Sequence, residues 1–252
     1  MNEIRWASFV SGVGTTMYEM ARAVKNEEVP GVSLELVLAS KPDIGAIQKA
    51  RELGLSERQI VVVDPNDFKG EDGKVDQYGF GRQILIELRN RNIDFFTQNG
   101  WLPMTPPRVA EEFEEYNQHP QRVPEFGGKG MYGVRPHAAR LFYSRMAGEH
   151  WPSSEPVAQR VSPEYDGGEI VVYQSIPIPN EILTEDMAFA APALQRMTLA
   201  YEHEVQIELL RQINSHTIRT QTLPRLHRPI ERTVKEVAEA ARKSAITAFP
   251  HA

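Results

Sequence analysis

The stretch IRWASFVSGVGTT at residues 4–16 decides the fold, because in it an apolar run leads directly into a glycine-rich turn. The apolar run at 4–10 is typical of a buried strand, and the turn occupies residues 11–16. Apolar side chains then recur at helical spacing from Met17 to Val24. A strand, a tight turn and a helix in this order predict the first unit of an open α/β sheet.

Predicted strands and helices continue to alternate through the first half of the chain. Further strands are expected at 32–39, 60–63 and 93–97, and helices at 43–53, 78–90 and 106–116. Alternation of this kind implies parallel strands joined by right-handed crossovers, with helices on both faces of a Rossmann-like sheet. Ligands bind such sheets beyond the carboxyl ends of the strands, so the loops after residues 10 and 97 are expected to line a site.

The second half departs from this alternation. Residues 117–136 are rich in glycine and proline, and long irregular loops of this kind are usually functional or disordered. Beyond them we expect a helix at 137–148, two strands at 157–161 and 169–176, and a long helix within 184–214 that is broken near Pro192. The short connection between the two strands is hairpin-like. It predicts a mostly parallel central sheet with an antiparallel C-terminal part.

The chain changes character after residue 214. A basic linker at 223–229 precedes a terminal helix with one apolar face. We therefore predict a main domain over 1–214, followed by a linker and a C-terminal helical extension over 215–252. The terminal helix is expected to serve either in packing or in a homodimer.

The composition excludes several chemistries. The 252 residues contain no cysteine, which removes disulfides, thiolate nucleophiles and cysteine-ligated zinc. The histidines are too scattered for a recognisable metal site, so no metal is expected. The net charge of −6 argues against a nucleic-acid partner, although a pocket in such a protein can still be locally positive. Neither a signal peptide nor an apolar run of roughly 18 residues is apparent, so we expect a cytoplasmic protein without a membrane partner.

The turn Ser11-Gly12-Val13-Gly14-Thr15-Thr16 is a candidate anion-binding loop. A glycine-rich turn before a helix leaves backbone N–H groups free, and the helix dipole and the threonine hydroxyls add to the attraction. The turn lacks the lysine of a Walker motif and the third glycine of a dinucleotide fingerprint. The alternative is a plain tight turn in which a threonine caps the helix.

The motif Asn117-Gln118-His119-Pro120 places an amide two residues before an imidazole. On an extended segment these two side chains face the same way. An amide donor beside an imidazole suits stabilisation of an oxyanion during acyl transfer. A polar surface loop is the alternative explanation.

The motif Asp166-Gly167-Gly168 is first of all a turn signal. Its functional interpretation requires a partner. If Asp166 meets a histidine, the carboxylate favours the protonated imidazole, and the pair can relay protons during acyl transfer.

These three motifs in this order resemble the glycinamide ribonucleotide formyltransferase family, within the wider group of formyl-folate transferases and hydrolases. The resemblance covers roughly residues 4–214, with support from the stretches at 40–55 and 100–103. It implies a Rossmann-like formyltransferase fold and an enzyme of purine biosynthesis. Such an enzyme moves a formyl group from 10-formyltetrahydrofolate, its co-substrate, to the amine of glycinamide ribonucleotide.

The resemblance also implies roles for individual residues. Asn117, His119 and Asp166 match the catalytic trio, which promotes direct attack of the amine without a metal. The phosphorylated substrate would be held by Gly12, Gly14, Thr15, Thr16 and Glu202. The folate would be bound by Trp101, Leu102, Met104, Ser162, Glu164 and Tyr165.

The sequence departs from the family pattern at several of these places. Thr15-Thr16 stands where Ser-Asn is usual, Pro103 stands where an arginine is often found, and Gln159 stands where a histidine is common. The loop at 127–135 is longer than usual. Formyl transfer is therefore better supported than the identity of the acceptor.

Three enzyme classes and one binding class remain as alternatives. A sugar-nucleotide N-formyltransferase uses the same trio on another amine, whereas the glycine-rich turn favours a ribonucleotide. A formyltetrahydrofolate hydrolase typically has an N-terminal regulatory domain, for which this chain leaves no room. A methionyl-tRNA formyltransferase carries a C-terminal barrel, for which about 38 residues after residue 214 are too few. A non-catalytic folate-binding homologue would account for the replaced Pro103 and Gln159.

Overall fold

The computed structural model describes residues 3–251, which form two compact units. The first unit comprises residues 3–118 together with Gln206–Ile218. The second comprises His119–Val205 and residues 219–251. Within the described residues, no helix is both long enough and apolar enough to cross a membrane.

The first unit is built on a parallel sheet. Its strands are β1 (Ile4–Val10), β2 (Val32–Ala39), β3 (Ile60–Val62), β4 (Phe95–Gln98) and β5 (Glu114–His119). Its helices are α1 (Thr15–Lys25), α2 (Gly45–Glu52), α3 (Gln77–Asn90) and α4 (Pro107–Ala110), with a 3-10 helix at Pro65–Phe68. The strands pair in the order β3-β2-β1-β4-β5, and each of these pairings is parallel. The predicted alternation of strands and helices is therefore confirmed.

Each face of this sheet packs against its own helices, because alternate residues of a strand point to opposite faces. Phe9 of β1 lies in an apolar cluster with Leu88 of α3. The next residue, Val10, lies in a different cluster with Met17 of α1 and Ala46 of α2. Helices cover both faces of the sheet of the first unit, as the sequence predicts.

The second unit combines helices with two antiparallel strand pairs. Its helices are α5 (Arg135–Ala147), α6 (Asn180–Thr184), α7 (Met187–Asn214) and α8 (Val234–Ala248). Its strands are β6 (Ser153–Ser154), β7 (Val157–Arg160), β8 (Ile170–Tyr173) and β9 (Ile176–Pro177). β7 pairs with β8 and β6 with β9, both antiparallel, so the expected mixed fold is confirmed. α7 continues through Pro192 without the predicted break, and the structure assigns its residues from Gln206 onward to the first unit.

The terminal helix α8 belongs to the core of the second unit. It begins with a capping box, in which Thr233 and Glu236 each accept a hydrogen bond from the backbone N–H of the other. Val237 and Ala241 of α8 are buried in an apolar cluster that also contains Leu141 of α5. The helix thus has a packing role, while the domain boundary at residue 214 stays a prediction.

The helix predicted at 106–116 is wrong. Only Pro107–Ala110 is helical, and Glu114–His119 forms β5 alongside β4. Glu115 is buried in this strand, where Gln98 of β4 donates a hydrogen bond to its carboxyl. Pairing with the neighbouring strand outweighs the helical preference of the glutamates in this segment.

The buried Glu115 makes the stability of the protein depend on pH. Burial raises the pKa of its carboxyl from 4.5 to about 7, against hydrogen bonds from Thr105 and Gln98 that lower it. Because the pKa is higher in the folded state, the folded protein binds more protons than the unfolded chain between these values. The free energy of unfolding therefore falls as the pH rises through this window, by at most about 1.4 kcal/mol per pH unit from this group.

We expect Glu115→Gln to reduce this fall, because an amide does not titrate. The measurement is the urea midpoint of the wild type and the variant at several pH values from about 4.5 to about 7.5. Glu111→Gln is the matched control, since Glu111 is exposed and should leave the pH dependence unchanged. Parallel curves for the wild type and Glu115→Gln would contradict the assignment.

Candidate active site

His119 and Asp166 face each other in the second unit. His119 is the last residue of β5 and is buried, and Asp166 lies in the connection between β7 and β8. The Nε2 atom of His119 is 3.8 Å from Oδ2 of Asp166, which is too long for a hydrogen bond but close enough for electrostatic attraction. The structure therefore brings these two predicted catalytic residues together.

The other ring nitrogen fixes the orientation of His119. Its Nδ1 is 2.7 Å from the carbonyl oxygen of Gln121, which can only accept a hydrogen bond, so Nδ1 carries a proton. The backbone nitrogen of Gln121 is farther from Nδ1, at 3.3 Å. Nε2 is then the atom that takes up or gives a proton. It is buried and has no hydrogen-bond partner among residues 3–251.

Both carboxylate oxygens of Asp166 are held by neighbours. Oδ1 accepts a hydrogen bond from Nε2 of Gln159 at 2.9 Å, and Oδ2 accepts one from the backbone N–H of Gly128 at 2.7 Å. Gly127 leaves room for this side chain, because a Cβ there would be 2.6 Å from the Cβ of Asp166. The start of the glycine-rich loop thus positions Asp166. The sequence indicated a functional loop here only through the richness of residues 117–136 in glycine and proline.

Asn117 lies on β5, two residues before His119. It is opposite Gln98 of β4 in the parallel ladder and is half-buried. Residues two apart on a strand share a face, so Asn117 and His119 have the relation that the sequence predicts. The extended conformation that this relation requires is present.

Gln121 connects His119 to a second histidine, His137 of α5. Its Nε2 is 3.2 Å from Nδ1 of His137, and since an amide nitrogen only donates, the His137 proton lies on Nε2. Burial, followed by the positive charge of His119, lowers the pKa of His137 to about 3, so this ring is neutral near pH 7. Neither residue is among the predicted site residues, because a single histidine in a helix and a single glutamine in an irregular loop carry no recognisable pattern.

Glu202 of α7 belongs to the same buried network. Its Oε1 is 3.7 Å from Nε2 of His137 and accepts a hydrogen bond from Thr198 at 3.1 Å. The side chain is only 7% exposed. The structure thus places Glu202 against His137, and its contact with a nucleotide stays a prediction.

The predicted phosphate turn lies at the start of α1 in the first unit. Gly14 precedes the helix with a φ of 72°, and a Cβ there would be 2.5 Å from the Cβ of Ala46. No side chain caps this helix end, so the alternative of a threonine cap is not seen. Gly12 is exposed and Thr15 is half-buried, whereas Thr16 is buried. The backbone of the turn and Thr15 are therefore the accessible groups.

The predicted folate residues fall into two sets. In the first unit, Trp101 is a core residue stacked on Phe80, while Leu102 and Met104 line a cavity of about 330 Å³. In the second unit, Ser162, Glu164 and Tyr165 lie in the turn that contains Asp166. Ser162 donates to the carbonyl oxygen of Glu164 at 2.8 Å, which shapes this turn.

Comparison with known proteins finds similar sequences and similar folds. No family model matches the chain. It is 27% identical over 206 residues to the chloroplastic phosphoribosylglycinamide formyltransferase of Arabidopsis thaliana, covering 81% of this chain and 63% of the relative. It is 28% identical over 207 residues to the protein of that name from Vigna unguiculata, covering 81% and 59%. The chain thus spans about three fifths of the length of these relatives.

The solved structures define the class of fold. The crystal structure of glycinamide ribonucleotide transformylase 1 from Symbiobacterium toebii matches with a TM-score of 0.67 at 19% identity, covering 87% of this chain and 95% of that one. The chain therefore has the fold of a glycinamide ribonucleotide transformylase. Together with the two curated relatives, this confirms the resemblance to the phosphoribosylglycinamide formyltransferases.

Proposed function

We propose that this protein transfers a formyl group from 10-formyltetrahydrofolate to the amine of glycinamide ribonucleotide. The observation that carries the proposal is the pair of His119 and Asp166, with Nε2 facing Oδ2 at 3.8 Å. The similarity to phosphoribosylglycinamide formyltransferases supports the choice of folate and acceptor. The accessible backbone of the turn at Gly12 and Gly14 suits the phosphate of such an acceptor.

In the proposed reaction, the acceptor amine attacks the formyl carbon directly. The carbonyl oxygen becomes an oxyanion, which accepts hydrogen bonds from the amide of Asn117 and from protonated Nε2 of His119. Each donor of this kind contributes about 3–4 kcal/mol to stabilising the transition state. The bond between the formyl carbon and N10 of the folate then breaks.

Asp166 has two tasks in this reaction. Its carboxylate faces Nε2 and stabilises the positive charge of the imidazolium. It also accepts the proton that the amine loses, directly or through a water molecule, and this proton passes to N10 of the leaving folate. Acid–base help of this kind contributes roughly 10²–10⁴-fold in rate.

A spectrophotometric assay of folate release tests the proposal and separates its rivals. Release that requires glycinamide ribonucleotide supports formyl transfer to that acceptor. Release without any acceptor points to a hydrolase, and release only with an amino-sugar nucleotide points to the sugar-nucleotide class. Folate binding with no release under any condition would identify a binding homologue.

Gln159 is expected to act as a positioning residue for Asp166. Gln159→Leu removes the hydrogen bond to Oδ1 of Asp166, and a hydrogen bond to a charged group contributes about 1.5–3 kcal/mol. If this loss falls on the transition state, kcat drops about tenfold or more while KM for the acceptor stays nearly constant. Gln159→His restores a donor and should recover most of the rate. An unchanged kcat in Gln159→Leu would contradict this role.

A further inference from the structure

The side chain of Gln121 is fully buried, two residues after His119. A buried amide must pair its N–H donors and its oxygen, because each unpaired polar group in the interior costs free energy. The amide of Gln121 finds its partners in α5, in β6 and at the residue that follows β6. It is therefore attached to separate segments of the second unit.

The partners determine which way round the amide of Gln121 lies. Its Nε2 donates to Oγ of Ser154 and lies 3.2 Å from Nδ1 of His137. Its Oε1 accepts a hydrogen bond from the backbone N–H of Glu155 at 3.4 Å. A flipped amide would turn its own N–H groups toward that backbone N–H, so that two donors would face each other. The amide therefore has one favourable orientation, in which His137 accepts at Nδ1.

The partners of the amide are fixed parts of the interior. His137 and Ser154 are both fully buried. The neighbours of His137 on α5, Ala138 and Ala139, belong to the apolar cluster of the second unit. Burial, followed by the positive charge of His119, lowers the pKa of His137 to about 3, so the ring stays neutral and keeps a lone pair on Nδ1. The amide thus connects an irregular loop to a packed helix.

The backbone carbonyl of Gln121 is the group that contacts His119. Its oxygen lies 2.7 Å from Nδ1 of the ring. Pro120 stands between the two residues, and its ring holds φ near about −65°, which leaves this short segment few conformations. The carbonyl can accept from a neutral ring with its proton on Nδ1 and equally from the imidazolium. It can therefore hold the ring throughout the proposed reaction, with Nε2 facing Asp166.

We propose that Gln121 is a positioning residue for formyl transfer, whose anchored side chain holds its own carbonyl oxygen against Nδ1 of His119. This role rests on the proposed function, because Gln121 acts through His119 and not on the substrate. Every residue has a backbone carbonyl, so the need for glutamine comes from its side chain. An apolar side chain at this position would leave the loop without its hydrogen bonds to α5 and β6.

The test uses Gln121→Met in the full-length protein, because methionine keeps the length of the side chain and removes its polar groups. We expect kcat to fall about tenfold, which corresponds to about 1.4 kcal/mol in the transition state, with KM for both substrates nearly unchanged. The second readout is ¹⁵N NMR of labelled histidine rings at a pH where His119 is neutral, with its signals assigned from the spectrum of His119→Ala. The wild type should show the proton of His119 on Nδ1, and Gln121→Met should show it divided between the two nitrogens.

Ser154→Ala is the milder second variant, which removes one partner of the amide. It should lower kcat about threefold and shift the His119 signals in the same direction, so the role can be tested even if Gln121→Met does not fold. Gln59→Met is the matched control. The side chain of Gln59 also makes several hydrogen bonds, with Ser56 and with the carbonyl oxygen of Leu34, but it lies in the first unit. This control should keep the kcat and the His119 signals of the wild type.

The two readouts separate this role from the proposed function. Wild-type His119 signals in both Gln121→Met and Ser154→Ala, with or without a lower kcat, would overturn the positioning role and leave formyl transfer standing. A wild type without formyl transfer, in which Gln121→Met still redistributes the His119 proton, would overturn the proposed function and leave Gln121 as the residue that orients His119.

Discussion

His119→Ala is expected to lower kcat by about 10²–10⁴-fold. The variant loses the protonated Nε2 that donates a hydrogen bond to the oxyanion, and with it the positive charge that Asp166 faces in the proposed mechanism. The fold should persist, because the side chain lies at the end of β5 and its removal leaves the ladder with β4 intact. The measurement is kcat and KM in the formyl-transfer assay, with the folded state checked by circular dichroism.

His150→Ala is the matched control, because His150 is exposed and should leave kcat unchanged. The double variant of His119→Ala with Asp166→Asn sharpens the test. If the two residues act as one unit, removing both costs little more than removing His119 alone. Losses that multiply, or a His119→Ala variant with a near-normal rate, would contradict the assigned roles.

Gly168→Ala is expected to lower the free energy of unfolding by about 3 kcal/mol or more, the largest loss of stability among the substitutions considered. A Cβ at this position would overlap the backbone carbonyl oxygen of Arg160. No side-chain rotation relieves this overlap, because the backbone of residue 168 fixes the position of the Cβ and the atom that it meets is a backbone oxygen. The connection between β7 and β8 must therefore open, and Asp166, two residues earlier, must move with it. Urea unfolding measures the loss of stability, and the formyl-transfer assay should show a parallel loss of kcat.

Gly12→Ala is the control for this prediction. A Cβ at Gly12 meets no atom within 4 Å, so the substitution should change the free energy of unfolding by no more than about 0.5 kcal/mol. It tests stability alone, since Gly12 belongs to the proposed phosphate turn. A Gly168→Ala protein as stable as Gly12→Ala would show that this turn tolerates a side chain.

The parallel core could be predicted because its signals are local. The apolar run at 4–10, the turn after it and the helix that follows each read correctly from their own residues. β5 could not be predicted, because its residues become a strand only through pairing with β4. The glutamates of that segment favour a helix when the neighbouring strand is left out of account.

The candidate site, like the fold, has parts that the local sequence predicts and parts that it does not. Asn117 and His119 could be paired from their spacing, since residues two apart on a strand share a face. That Asp166 faces His119 could only be expected conditionally, because the two are distant in the chain. The hydrogen bonds to Asp166 from Gln159 and Gly128 depend on how the loops fold, and no local pattern encodes them.

The central claim is the transfer of a formyl group to the amine of glycinamide ribonucleotide. The most direct measurement uses 10-formyltetrahydrofolate with an isotope label in the formyl group and follows the label by mass spectrometry. We expect the wild type to place the label on the amine of the ribonucleotide, and His119→Ala to do so far more slowly. Label found only in free formate, or left on the folate by a protein that binds it, would contradict the account.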